Sequence, residues 1–217
     1  MFDLPKSTEY GKRIPKQKFY EKLDISPAVK KAFEQIRIIY WRNKIAPSTM
    51  NLAPGTAVTE IEILEIRLRT PELEEAVLRL IDREIPYHLV FLLEYEGTYR
   101  AVIGYKEEAG SGRAAFKVER YYRTDRLPPE ALSLAPVGLT TDAVYENYIR
   151  KIAGPALIET ENTTLKESVE NQKERERLQK EIAALEAKMR KEPQLNRKME
   201  IKAKIKTLKT QLFEISE

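Results

Sequence analysis

Apolar residues recur along this chain with two different periods, and the places where one gives way to the other mark out its elements. "TEIEILEIRL" (59–68) has apolar residues at 61 and 63, then at 64, 66 and 68. This is a strand pattern whose parity slips once, as a β-bulge near Ile63–Leu64 or burial on both faces would require. "YHLVFLLEY" (87–95) is a nearly continuous apolar run of strand length, which predicts a central strand. "TYRAVIGYK" (98–106) alternates through Tyr99, Ala101, Ile103 and Tyr105. A loop holding Gly110 and Gly112 then leads into a further strand, "AAFKVERYYR" (114–123).

Helical spacing appears between these runs. Ser26-Pro27 supplies an N-cap and a first-turn proline. Val29, Ala32, Phe33, Ile36 and Tyr40 then share one face, which predicts a helix continuing to just before Pro47. Thr70-Pro71 opens a second helix with Leu73, Val77, Leu80 and Ile81 inward, ended by Pro86. Thr141-Asp142 caps a third, bearing Val144, Tyr145, Tyr148 and Ile149 and stopped by Gly154-Pro155. The polar, basic opening segment, interrupted by Pro5 and Pro15, reads as irregular. The proline-rich stretch 124–140 is long for a loop in a compact domain and reads as a functional or covering segment. The order predicts an α+β domain over residues 1–158. Its mixed or antiparallel sheet has about four strands with flanking helices, one parallel crossover preceding an antiparallel meander.

From 159 to 217 the composition shifts to helix formers. Leu178, Ile182, Leu185 and Met189 follow heptad spacing, as do Ile201, Ile205, Leu208, Leu212 and Ile215 beyond Pro193. A proline removes a hydrogen bond and clashes inside a straight helix, so the run breaks at 193. An antiparallel hairpin pairs Met189 with Met199, Leu185 with Ile201, Ile182 with Ile205 and Leu178 with Leu208. The alternative is a parallel coiled coil between chains, kinked at the proline, which would make the protein a homo-oligomer.

Composition narrows the chemistry. There is no cysteine and one histidine, His88, among 217 residues. Disulfides, thiolate nucleophiles and cysteine-rich zinc sites are thereby excluded, and no metal site or cofactor is expected. No apolar run approaches the ~20 residues of a membrane helix, and the first residues lack a signal-peptide core. The expectation is a soluble cytoplasmic protein with no membrane partner. The net charge of +4 is compatible with nucleic acid without demanding it.

Two groups of residues invite function. Lys198, Lys202, Lys206 and Lys209 fall on one side of the last helix, in a stretch (196–215) that sets six Lys and Arg against two Glu. They either solvate the helix opposite its apolar seam or track nucleic-acid phosphates. On the strand at 59–68, Glu62, Glu65 and Arg67 approximate the acidic and basic groups of a metal-dependent nuclease, with arginine where a lysine is usual. No phosphate loop, dinucleotide fingerprint or nucleophile elbow is present. His88 reads as structural, and Arg37, Tyr40, Trp41, Arg42 and Lys44 read as core aromatics with snorkelling cations in preference to a nucleic-acid or partner surface.

"IPKQKFYEKL" (14–23), "IYWRNKIAPSTMNL" (39–52), "TEIEILEIRL" (59–68), "LIDREIPYHLVFLLEYEG" (80–97) and "DAVYENYIRKIAG" (142–154) together resemble a bacterial family, domain of unknown function 4391. The resemblance spans nearly the whole first domain and includes the arm. It brings no catalytic residues with it. It implies an accessory component of a restriction or phage-defence system, because family members tend to be encoded beside helicases and DNA methyltransferases. The combined reading is a non-catalytic adaptor that assembles with a larger helicase or methyltransferase partner and contacts DNA through the basic arm. The alternative is a metal-dependent nuclease acting on DNA.

Overall fold

The parity slip at Ile63–Leu64 is resolved by covering both faces of the strand that contains it, with a bulge on the strand beside it. The computed structural model describes residues 2–19, 21, 25–108, 116–157 and 163–215. They divide into two units, Met1–Gly154 and Pro155–Glu217. Both the loop around Gly110 and Gly112 and the 158/159 boundary lie outside the described residues.

The first unit is built on a six-stranded sheet in sequential order: β1 (Glu9–Ile14), β2 (Ile36–Ile45), β3 (Ile61–Leu68), β4 (His88–Tyr95), β5 (Thr98–Glu108) and β6 (Phe116–Arg123). Only β3 and β4 run parallel, joined by α2 (Glu75–Glu84); the other neighbours are antiparallel. The fold is thus α+β with a mixed sheet, with six strands rather than about four.

The two additional strands correct two expectations. The helix opened by Ser26-Pro27 is real but short, α1 (Pro27–Ala32), with the Ser26 hydroxyl accepting from the Val29 amide. After a 3-10 turn the chain enters β2, where a helix to Pro47 was expected. Four isoleucines and two aromatic residues within those ten positions favour the pleated conformation. β1 lies in the segment expected to be irregular, between Pro5 and Pro15 and interrupted by neither. Its register shifts between Glu9 and Lys12, where Gly11 takes a positive φ of 62°. Glycine adopts that left-handed geometry without steric penalty, so it carries the bulge.

In β2 the partners change from Trp41↔Leu64 to Asn43↔Ile63, leaving Arg42 as an extra residue. Side chains directly opposite share a face. Leu64, Ile66 and Leu68 therefore join Leu89, Phe91 and Leu93 beneath α2 in one core. Ile63, Val90, Leu92 and Ile103 are buried on the other face. That face is covered by α3 (Thr141–Ala153) and the proline-rich segment. Leu132 and Leu134 of the segment are buried, its Leu134 amide donates to the Phe2 carbonyl at 2.8 Å, and Tyr148 of α3 donates to the Leu134 carbonyl at 2.7 Å. The 124–140 stretch is a cover.

The second unit is an αα-hairpin of α4 (Leu165–Lys191) and α5 (Leu195–Glu214). A capping box at Thr164 and Glu167 starts α4. Leu178, Ile182, Ile205 and Leu208 form its buried seam, with Leu185, Met189, Ile201, Leu212 and Ile215 packed around them. Met199, expected to pair with Met189, is instead 59% exposed. It sits in the first turns of α5, close to the 192–194 link.

Candidate functional site

Glu62 and Glu65 are three residues apart on β3, which has no bulge of its own, so they point to opposite faces of the sheet. Glu62 stands opposite Leu89 on the α2 face; Glu65 stands opposite Leu92 on the α3 face. The structure therefore separates two of the three residues grouped from the sequence. It joins Glu65 to Arg67, whose Nε donates at 2.9 Å, and to the Arg42 guanidinium. Arg67 also lies over the Tyr40 ring. Two arginines on one buried carboxylate form a closed charge cluster. Among the described residues, no three His, Cys, Asp or Glu side chains gather in a way that could hold a metal ion.

On the α2 face, Glu62 has different surroundings. It is 1% exposed and lines a cleft of about 500 Å³. The bulge at Arg42 lets Trp41 and Lys44, three apart, both reach this region: Trp41 Nε1 donates to Glu62 Oε2, and Lys44 pairs with Glu60. Oε1 of Glu62 is buried. Burial, together with hydrogen bonding and repulsion from the Glu60 carboxylate, pushes the Glu62 pKa up to about 8, against the lowering influence of Trp41 and Lys44. At neutral pH Glu62 thus holds a proton that it shares with the Glu60 carboxylate. Tyr10, beyond the Gly11 bulge, packs on Trp41 with ring centroids 4.3 Å apart, and Lys12 lies over the Tyr10 ring. Exposed Lys12 and Lys18 and the Pro86–Tyr87 turn complete the cleft. Sequence reasoning placed Trp41 in the core and passed over Tyr10 and Lys12. Gly11 within an otherwise polar stretch is the one local signal of a bulge that turns a side chain.

His88 is buried against Tyr145 and Phe116, at 4.4 and 4.6 Å between ring centroids. Burial and the Lys106 charge drive its pKa down to about 3, so it is neutral at physiological pH and serves packing.

On the arm, the seven residues assigned to assembly, Leu178, Ile182, Leu185, Met189, Ile201, Ile205 and Leu208, meet one another in the hairpin seam. Lys202, Lys206 and Lys209 line a shallow trough of about 660 Å³ along α5 with Met199, Ala203 and Phe213. Lys209 reaches Glu186 at 2.8 Å, and Lys204 reaches Glu181 at 2.9 Å, across the hairpin. Lys198, Lys202 and Lys206 make no salt bridge among the described residues. The second limb thus spends part of its positive charge on α4 and keeps a row of cations turned to solvent.

Among the described residues, no helix is long and apolar enough to cross a membrane. No curated protein and no solved structure matches the chain. The model of one family matches residues 2–212, from ahead of the first strand of the sheet to the last turns of the arm, and the chain belongs to that family, Domain of unknown function (DUF4391).

Proposed function

We propose that this protein is a non-catalytic accessory component of a bacterial DNA restriction or phage-defence system. In this reading it assembles with a larger helicase or methyltransferase and contacts DNA phosphates through α5. The observation that carries it is the row of Lys198, Lys202 and Lys206, free of carboxylate partners among the described residues and continued by Lys209. Positions four, four and three apart on a helix lie along one side, so the row presents successive ammonium groups to a linear polyanion. Exposed Met199 and Phe213 on the same helix add an apolar contact suited to a protein partner. The nuclease alternative loses support from the opposed directions of Glu62 and Glu65.

A salt titration of duplex DNA binding tests the reading. The logarithm of the affinity should fall linearly with the logarithm of salt concentration. Replacing Lys202, Lys206 and Lys209 by alanine should reduce the slope by roughly 0.9 per lost phosphate contact. A slope identical in the variant and the parent would remove α5 from DNA contact. Tagged protein recovered from native cells with a helicase or methyltransferase supports the assembly role.

A further inference from the structure

The cleft above Glu62 combines three features that the arm reading does not use. Its volume, about 500 Å³, suits a small molecule rather than a macromolecular face. Its wall is aromatic, with Tyr10 held against Trp41 at a 40° tilt, so a flat ring can stack there. Its mouth carries Lys12 and Lys18, both solvent-exposed, while Glu62 lies at its floor.

We infer that this cleft binds a nucleobase bearing a 5′-phosphate, with the ring stacked on the Tyr10–Trp41 pair and the phosphate drawn by Lys12 and Lys18. A phosphate lying on the Glu60 and Glu62 carboxyls would be repelled, so the lysines at the mouth decide which end of the ligand faces outward. The Gly11 bulge belongs to the same arrangement, since it sets the direction in which Tyr10 leaves the edge strand. The site is independent of the DNA contact proposed for α5.

A base with its phosphate comes either as a free mononucleotide or as an unstacked residue of a single strand. Trp41 is the sole tryptophan of the chain, so its fluorescence reports on the cleft directly. The full-length protein is titrated with AMP, GMP, CMP and UMP, with a short single-stranded oligonucleotide, and with adenosine and inorganic phosphate as partial ligands. The expected result is a saturable change in Trp41 emission with at least one mononucleotide or with the oligonucleotide. Lys12→Ala with Lys18→Ala should weaken it about tenfold, as loss of charge-assisted contacts does. Response to mononucleotides assigns a free nucleotide as the ligand; response to the oligonucleotide alone assigns a single strand. Tyr10→Ala, at a half-exposed edge position, should also weaken binding without unfolding the protein, as checked by circular dichroism. No saturable response up to millimolar ligand overturns the inference. So does inorganic phosphate binding as well as the nucleotide, or binding unaffected by both the lysine and the tyrosine variants.

Discussion

The Lys106 ammonium lies 2.7 Å from Asp82 Oδ1, with side chains 1% and 0% exposed, which makes this the most deeply buried ion pair among those described. The same ammonium donates to the Tyr87 carbonyl at 2.6 Å. Tyr121 donates to the other Asp82 oxygen, and Gly104 beneath leaves the room: a Cβ there would lie 3.0 Å from Val118 and 3.1 Å from Tyr121. Burial raises the Asp82 pKa and lowers that of Lys106, and each charge opposes the shift of the other. Breaking such a pair strands a charge, whereas removing both partners does not. Lys106→Met should therefore destabilise the first unit by about 3–5 kcal/mol, and the double variant Asp82→Leu, Lys106→Met by clearly less than the sum of the singles. Urea denaturation of the four proteins measures this.

Glu62 gives the stability a pH dependence of defined sign. Its folded pKa of about 8 lies above the ~4.3 of an unfolded glutamate, so the folded state holds the proton more tightly. The associated stability is complete below about pH 4 and is lost as pH rises to and through 8. Its span is on the order of 2–4 kcal/mol. Glu62→Gln should flatten the curve of melting temperature between pH 5 and pH 9. A parent protein equally stable at both ends would refute the buried acid.

Asp142 behaves in the opposite sense. Burial pushes its pKa up, but the amides of Thr56, Val58 and Ala57 and the Thr56 hydroxyl outweigh this and hold it below the usual value. The stabilisation is present above the unfolded pKa of ~3.9 and disappears as pH falls through the lower folded value. Asp142→Ala should cost about 1.5–3 kcal/mol and speed amide exchange at Thr56, Ala57 and Val58.

The hairpin seam and the exposed side of α5 should respond unequally to the same kind of truncation. Leu208→Ala removes a residue 8% exposed from the seam and should destabilise the arm by about 2–4 kcal/mol. Met199→Ala should change stability by less than about 0.5 kcal/mol. Hydrogen exchange along α5 in the two variants provides the comparison.

How much of this could be read in advance differs between the two units for a physical reason. The hairpin depends on contacts local in sequence, so heptad spacing and Pro193 sufficed for its seam; only Met199, next to the short link, escaped. The sheet depends on register. Ile36 and Tyr40 are four apart, which fits a helical face, and the bulge at Arg42 spoils the alternation that would have marked β2. β1 was hidden because an edge strand with charged side chains and a glycine carries no apolar signal. The opposition of Glu62 and Glu65 turned on the parity slip at 63–64: a bulge on this strand would have put them on one face, and burial on both faces separates them. The cleft was not, because it needs Tyr10, Trp41 and Glu62 brought together from three strands by two bulges.

The borders of the sheet have a consequence for how other molecules approach it. Its two outermost strands are β1, kinked at Gly11 and bearing Lys12 and Arg13, and β6, bearing Lys117, Glu119, Arg120 and Arg123. Charge and distortion at such margins discourage a foreign segment from continuing the ladder, and with it uncontrolled stacking into fibres. At these margins, recognition of a visitor falls to side chains more than to borrowed backbone.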